Sequence, residues 1–288
     1  MCKKILKIFW QEFLFGGHLQ CLGVVSIAYL SSLFFKIKTD LLFFLSVYLI
    51  FYSIYLNDRL STLKIDEKTN FERSIYLKTH LWLFSKLRIL SIFLILALLF
   101  LTQNLKFSIF GLILLFLGWL YPIYFKNLSK KIIAFKNFYV AGFFSVIALM
   151  PIIYSPSSFQ FSFLFPLTLF ALFVFLKTFL MQVFLDLKDL QIDQVFGLKT
   201  LPSLFGKEKT LKFLKSANFF LTFSLVPFCL AKIFPLKALV LLFSFPFNLF
   251  SYHLASKENY YAYLLESGEF FFWGVLIFVF EKLCLFSL

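Results

Sequence analysis

Residues 161–193 read FSFLFPLTLFALFVFLKTFLMQVFLDLKDLQID, and this stretch decides the fold. Residues 161–185 form an almost uninterrupted apolar run, and about 20 apolar residues are what an α-helix needs to cross a membrane. The run ends in three acidic residues, Asp186, Asp189 and Asp193. The stretch therefore predicts a membrane-spanning helix that carries a cluster of carboxylates at one end.

The composition of the whole chain agrees with a membrane location. Of 288 residues, 61% are hydrophobic and 15% are charged, whereas roughly 25% of an average soluble protein is charged. A soluble domain of this length could not hide so much apolar surface, and a disordered chain requires low hydrophobicity. The four cysteines form no Cys-x-x-Cys pair, which argues against a disulfide or metal role. We predict an all-α polytopic membrane protein.

Hydropathy predicts nine membrane-spanning helices, and a count of eight stays open because several apolar runs are short. The composition does not shift along the chain, so residues 1–288 are predicted to form a single integral membrane domain. The predicted spans are 14–34, 39–56, 89–103, 107–122, 138–154, 161–185, 217–231, 235–252 and 268–285.

The basic residues predict the orientation of these helices. Lys and Arg number 28 against 14 Asp and Glu, a formal net charge of +14. Most of them fall at the N-terminus and in the loops after the second, fourth, sixth and eighth helices, and cytoplasmic segments collect positive charge. The N-terminus is therefore predicted to be cytoplasmic, with a bacterial inner membrane as the expected location. No motif or fold supports nucleic-acid binding.

The three acids after the sixth span have the spacing of one helix face. At about 100° per residue, Asp189 and Asp193 lie roughly 60° and 20° from Asp186 around a helix axis. Neighbouring carboxylates repel one another, and Mg²⁺, which prefers oxygen ligands, would compensate them. The alternative is a solvated helix end whose acids pair with Lys188 and Lys199. A second polar cluster follows the second span, where residues 57–67 read NDRLSTLKIDE.

These two clusters resemble the motifs of a known family. Residues 186–202, DLKDLQIDQVFGLKTLP, resemble the second aspartate-rich motif of the UbiA superfamily of intramembrane prenyltransferases. The segment that begins at Asn57 stands where that superfamily carries its first motif, Asn-Asp-x-x-Asp-x-x-x-Asp. The resemblance covers nearly the whole chain. It implies about nine helices bundled around a central, lipid-accessible cavity, with both motifs on the cytoplasmic side.

The resemblance also implies a reaction. A prenyl diphosphate donor would enter from the lipid bilayer, and its diphosphate would be held by Mg²⁺ and basic residues between the two motifs. Loss of the diphosphate would leave an allylic cation, which a small acceptor, most simply an aromatic one, would attack, as in quinone biosynthesis. The implied catalytic and metal-binding residues are Asp66, Asp186, Asp189 and Asp193. The implied diphosphate-binding residues are Asn57, Asp58, Arg59, Lys126 and Lys199.

The first motif departs from the family pattern. Counted from Asn57, the three acidic positions of the pattern hold Asp58, Ser61 and Ile65. A shift by one residue gives them Arg59, Thr62 and Asp66 instead. We favour the shifted register because it has the i, i+3, i+7 spacing of the second motif. Arg59 would then contact a phosphate directly and replace part of a metal ion's role.

Two further residues attract interpretation. Lys177 lies inside the sixth span, about 180° from Asp186, and is expected to snorkel or to pair elsewhere. His18 lies in the first span, which lines the acceptor pocket in the family, and is either an acceptor contact or a structural residue.

Alternatives to catalysis stay open at this stage. A relative that only binds prenyl diphosphate, or has weak activity, would fit the depleted first motif. A multi-spanning carrier would need charges near the middle of its spans and an inverted repeat, which the sequence does not suggest. The acceptor is also open among hydroxybenzoate, dihydroxynaphthoate, a porphyrin, a glycerol phosphate lipid and a sugar phosphate.

Overall fold

The computed structural model describes residues 2–63, 66–67 and 70–283, without the side chains of residues 2–8, 126 and 127. Within these ranges the protein consists of helices joined by short turns, and no β-strand occurs. The all-α architecture predicted from the sequence is confirmed.

The helices of the N-terminal half run up to the start of the long apolar stretch at residue 161. They are α1 (Cys2–Phe15), α2 (His18–Phe34), α3 (Leu41–Ser61), α4 (Phe71–Thr79), α5 (Leu81–Leu101), α6 (Leu105–Leu120), α7 (Phe135–Ile147) and α8 (Met150–Tyr154). Between α6 and α7 the chain passes through a wide helical turn at Tyr121–Phe125 and a tight one at Lys126–Lys130.

The helices of the C-terminal half begin with the longest one. They are α9 (Leu164–Asp186), α10 (Leu190–Val195), α11 (Leu201–Phe205), α12 (Lys207–Phe223), α13 (Leu225–Leu230), α14 (Ser244–Ser256), α15 (Tyr261–Ser267) and α16 (Glu269–Lys282). A tight helical segment, Leu236–Phe243, leads into α14.

Six helices among the described residues are long and apolar enough to cross a membrane, or eight if each of two bent pairs is one span. The bent pairs are Phe9–Phe15 with His18–Phe34, and Tyr261–Ser267 with Glu269–Lys282. The fifth predicted span corresponds to the shorter apolar helix Phe135–Ile147 together with α8. The polytopic membrane fold is therefore confirmed, and the predicted count of nine is an approximation. The predicted end of the last span lies outside the described residues.

The outer surface of the bundle suits a lipid environment. On α5, Phe93 and Phe100 are 66% and 83% exposed, and neighbouring leucines and isoleucines are exposed with them. Apolar surface this extensive marks a face that meets lipid rather than water. The chain is an integral membrane protein.

The bend between α1 and α2 depends on glycine. The two helices meet at 62°, and Gly17 at the junction has a φ angle of 96°, which favours glycine over residues with a Cβ. A Cβ on Gly17 would also lie 2.9 Å from Nη1 of Arg59. The bend therefore lets the start of α2 approach the guanidinium group on α3.

Lys177 is the main polar exception within the bundle. It is completely buried, its Nζ lies 2.6 Å from Oε1 of Glu269 on α16, and it donates hydrogen bonds to Asn218 and Asn248. The prediction that Lys177 pairs away from Asp186 is confirmed. The alternative that its side chain snorkels was wrong, because the ammonium group is buried and pairs with the buried carboxylate of Glu269.

Close helix packing predicts a sensitive position on α16. A Cβ on Gly274 would lie 2.7 Å from Cβ of Ser26 on α2, whereas a Cβ on Gly142 of α7 would meet no atom within 4 Å. Small residues allow membrane helices to approach. We expect Gly274→Ala to lower the free energy of unfolding by about 1–3 kcal/mol through overpacking. Thermal unfolding in detergent measures this, with Gly142→Ala as the control; equal midpoints for the two variants contradict the packing argument.

Candidate active site

A cavity of about 150 Å³ lies at the centre of the bundle. Its polar wall consists of six side chains from α2, α3, α4, α9 and α15: Gln20, Asp58, Arg59, Arg73, Gln182 and Ser267. The remaining wall is largely apolar and includes Phe144, Met181 and Phe270. Gln182 precedes Asp186 by one helical turn, so the polar end of the cavity lies next to the second acidic motif.

The second motif does not lie on one continuous helix as its spacing suggested. Helix α9 ends at Asp186, residues 187–189 form a tight turn, and Asp189 precedes the short helix α10 that contains Asp193. The backbone N–H of Asp189 donates to the carbonyl of Asp186, three residues back. The predicted single helix face is therefore wrong. The carboxylates nevertheless remain close together. Besides burial, the charge of Asp186 raises the pKa of Asp189, and the charges of Asp186 and Asp189 raise the pKa of Asp193.

Asp186 is the best-anchored member of this motif. It is completely buried, and its two carboxylate oxygens accept hydrogen bonds from Nζ of Lys136 at 2.9 Å and from Nδ2 of Asn137 at 2.8 Å. Both donors come from the start of α7. The ammonium group of Lys136 thus compensates the buried carboxylate of Asp186. Lys136 is therefore a fixed positive charge in the site.

Asp189 and Asp193 are less fully neutralised. Burial raises the pKa of Asp189, although Lys188 and Lys136 oppose the increase. Burial and the Asp186 charge raise the pKa of Asp193 to about 6, although Thr200 donates a hydrogen bond to it at 3.1 Å. Oδ1 of Asp189 is buried and has no hydrogen-bond partner. This oxygen is available to a cation or to a hydrogen-bond donor on a ligand.

The first motif presents positive charge to the cavity. Arg59 is buried, lines the cavity and donates hydrogen bonds to the carbonyl of Phe15 and, at 3.3 Å, to Oε1 of Gln20. Asp66 accepts a hydrogen bond from Nη2 of Arg73 at 2.8 Å, and Thr62 lies 3.4 Å from the same carboxylate oxygen. Two residues of the shifted register, Thr62 and Asp66, are therefore in contact, and Arg73 is the counter-charge of Asp66.

Other predicted diphosphate-binding residues take different positions. Asp58 lines the cavity beside Arg59. Asn57, by contrast, is turned toward α5 and α6, where its amide lies 3.5 Å from the carbonyl of Trp119 and from Nη1 of Arg88. Lys199 is directed at the carbonyl of Lys131, 3.4 Å away. The side chain of Lys126 lies outside the described residues.

The structure adds basic residues that the predicted site lacked. Arg73 lines the cavity, Lys136 holds Asp186, and Nζ of Lys188 donates to Oδ1 of Asn70 at 2.7 Å. The sequence shows the run Asn70-Phe71-Glu72-Arg73 and the pair Lys136-Asn137. The partners of Asn70 and Lys136 were not visible there, because these contacts join segments 50 or more residues apart.

His18 belongs to an aromatic and acidic group beside this site. Its ring stacks on Tyr52 with centroids 5.1 Å apart, its Nδ1 contacts the hydroxyl of Tyr48, and its Nε2 lies 3.3 Å from Oε1 of Glu12. These contacts account for the position of the ring, and a contact with an acceptor stays a prediction.

The donor set fits one divalent cation better than two. Among the described residues, no three His, Cys, Asp or Glu side chains lie close enough to hold a metal ion together. Mg²⁺ bound through one or two carboxylates and substrate phosphates requires fewer. The unpartnered Oδ1 of Asp189 offers one such ligand. Asp66 on the opposite side is occupied by Arg73.

Fold and site together define a polytopic membrane protein with a charged cluster beside an internal, mostly apolar cavity. The sequence model of the UbiA prenyltransferase family matches residues 22–275. The chain therefore belongs to this family, whose members are prenyltransferases.

Two solved structures are similar to this one. The apo structure of a UbiA homolog from Aeropyrum pernix K1 has a TM-score of 0.69 and 14% sequence identity, and the similarity covers 90% of this chain and 97% of that chain. A structure of digeranylgeranylglyceryl phosphate synthase has a TM-score of 0.55 and 17% identity, with coverage of 95% and 96%. At these identities the likeness establishes a shared fold. No curated protein matches the chain by sequence.

The Lys136–Asp186 pair yields a prediction about stability. Lys136→Met leaves a completely buried carboxylate without its cation. We expect a loss of about 2–3 kcal/mol, below the 3–5 kcal/mol of a fully buried pair because Lys136 is itself 38% exposed. Thermal unfolding measures the effect, and Lys130→Met on the exposed neighbouring loop serves as the control. The double variant Lys136→Met/Asp186→Asn should regain most of the loss; if it does not, the pair is not the cause.

Proposed function

We propose that this protein transfers an isoprenyl group from a prenyl diphosphate to a small acceptor, most simply an aromatic one, within the membrane. One observation carries the proposal: Arg59, Arg73 and the aromatic side chains of Phe144 and Phe270 line the same cavity, together with Gln182, one turn before the acidic end of α9. A prenyl diphosphate has the same division between a strongly anionic head and an apolar chain.

The residues of the polar end are suited to hold and release diphosphate. Arg59 and Arg73 present guanidinium groups, which match phosphate oxygens in geometry and charge. Lys136 adds a fixed positive charge beside Asp186. Asp189, with Asp193 close by, would hold Mg²⁺ together with phosphate oxygens, and the bound ion would supply Lewis-acid stabilisation of the leaving diphosphate. Lys199 and Lys126 remain candidate contacts on the loops at the rim.

The apolar part of the cavity is suited to the carbocation chemistry. Phe144, Phe270 and Tyr55 lie in the wall, and the faces of aromatic rings stabilise a nearby cation. The same wall excludes water, which would otherwise consume an allylic cation. The acceptor's electron pair would form the new bond while the electrons of the broken C–O bond leave with the diphosphate.

The setting and pathway follow from the same proposal. The positive-inside pattern places the N-terminus and both motifs on the cytoplasmic side, and a bacterial inner membrane suits such a chain. An aromatic acceptor corresponds to a step of quinone biosynthesis. A second candidate is a prenyl diphosphate-binding relative with weak activity, which the Asp66–Arg73 pair favours because it occupies a carboxylate of the first motif.

Asp189→Asn tests the proposed mechanism. The substitution keeps the shape of the side chain but removes the charge of a motif carboxylate that has a buried, unpartnered oxygen. We expect Mg²⁺-dependent product formation to fall by at least about a hundredfold, equivalent to about 2.7 kcal/mol of transition-state stabilisation. Radiolabelled donor in proteoliposomes gives the rate, and Glu208→Gln, an exposed acid on α12, is the control. Full turnover by a folded Asp189→Asn protein would contradict the mechanism.

The acceptor is identified by comparing membrane lipids. Expression of the protein should produce a prenylated species that is absent when Asp186→Ala is expressed at the same level, because Asp186 organises the second motif. Mass spectrometry of the difference identifies the acceptor and the length of the isoprenyl chain. Tight binding of a non-hydrolysable prenyl diphosphate without any new lipid would instead support the binding-only candidate.

A further inference from the structure

A second cluster of charged residues lies inside the bundle, apart from the candidate active site. It contains Lys177 on α9, Glu266 on α15 and Glu269 on α16, whose exposed fractions are 0%, 0% and 1%. Lys177 precedes Asp186 by about two and a half helical turns. The proposed transferase mechanism makes no use of these residues.

Hydrogen bonds connect the three charges into one network. Nζ of Lys177 lies 2.6 Å from Oε1 of Glu269 and donates to Oδ1 of Asn218 at 2.7 Å and of Asn248 at 2.8 Å. Nδ2 of Asn248 donates to Oε1 of Glu266 at 2.9 Å. Glu269 therefore contacts the ammonium group directly, whereas Glu266 reaches it only through Asn248.

The charges of this network do not balance. One ammonium group faces two carboxylates, so two ionised glutamates would leave one uncompensated negative charge in a site that water does not reach. A buried charge without a partner costs several kcal/mol, which is a large fraction of the stability of a typical fold. The cluster therefore requires one more positive charge.

The surrounding elements do not supply that charge. From α14, Tyr252 and Ser251 lie beside Glu266; from α12, the neighbouring side chains are those of Asn218 and Thr222. Helix α2 meets the bend between α15 and α16 through Leu19, which is apolar. Within the described ranges, Lys177 is the one cation in the network.

An unpartnered atom marks where the extra charge belongs. Oε2 of Glu266 and Oε1 of Glu269 are both buried without a hydrogen-bond partner, but Oε1 of Glu269 lies 2.6 Å from the ammonium group of Lys177, whereas no cation lies beside Oε2 of Glu266 among the described residues. Oγ1 of Thr222 and Oγ of Ser244 are likewise buried and unpartnered, one helical turn from Asn218 and Asn248 respectively. A proton on Oε2 would turn this oxygen into a hydrogen-bond donor and make the network neutral.

We propose that the cluster binds one additional proton, carried on Glu266, while Glu269 is the ionised partner of Lys177. The proton site adjoins the cavity wall, because Ser267 and Phe270, which line the cavity, are the immediate neighbours of the two glutamates in the chain. The neutral network holds the bend between α15 and α16 against α9. This proposal does not depend on the transferase reaction.

Matched glutamine variants test the assignment of the proton. Gln imitates a neutral carboxylic acid, since it keeps an acceptor for Asn248 and supplies a donor at the second position. Glu266→Gln is expected to leave the unfolding temperature of the full-length protein in detergent unchanged. Glu269→Gln is expected to lower it by roughly 6–10 °C, because Lys177 loses its ionised partner. The double variant Lys177→Met/Glu269→Gln should recover most of that loss.

Infrared spectroscopy and a salt comparison complete the test. The wild-type protein should show the C=O stretching band of a protonated carboxylic acid that is missing from Glu266→Gln. Its stability should be the same in sodium chloride and choline chloride of equal ionic strength. Three results would overturn the proposal: no such band, a stable Glu269→Gln with an unstable Glu266→Gln, or a stabilisation specific to sodium that Glu266→Gln abolishes. The last result would assign the site to a sodium ion bound at Glu266.

Discussion

The buried carboxylate of Asp186 imposes the constraint on which the rest of the site depends. It lies at the end of an apolar helix, where an unpaired charge is energetically unfavourable. Lys136 and Asn137 of α7 donate hydrogen bonds to it. The turn after Asp186, the entry of α7 and the placement of Asp189 and Asp193 all follow from bringing these groups together. The second acidic motif is thus also the point at which α7 and α9 are joined.

The same rule explains the middle of α9. Lys177 could not remain in the bundle without a carboxylate, and Glu269 provides one at the start of α16. Helix α9 therefore carries two charged contacts, one to α7 at the acidic motif and one to α16 deeper in the bundle. Between them lie Met181, Gln182 and Leu185, which line the cavity. Ion pairs therefore hold α9 on both sides of its cavity-lining segment. Elsewhere small residues such as Gly274 and Ser26 allow the helices to pack closely.

The sequence was sufficient for the apolar helices, because hydropathy is a property of single segments. It was not sufficient for the contacts. The i, i+3, i+7 spacing predicted one helix face, but the turn at residues 187–189 breaks the helix after Asp186. Asn57 is a second example. Its position in the motif predicted a contact with the diphosphate, whereas its amide group faces Trp119 on α6 and Arg88 on α5. Lys136 reaches Asp186 from a segment 50 residues away, a contact that no local pattern specifies.

The altered first motif has a consistent electrostatic logic. An acidic first motif must recruit cations before it can hold an anion, whereas Arg59 and Arg73 bring positive charge with the chain. Asp66 forms an ion pair with Arg73 and offsets its charge, and under the proposed function a diphosphate would take the place of this carboxylate. Exchange of that carboxylate for phosphate oxygens would cost little, since both are anions that a guanidinium group binds in a forked geometry. The loss of acids at the first motif and the presence of these arginines are therefore two parts of one arrangement. It requires fewer metal ions because part of the positive charge is covalently attached.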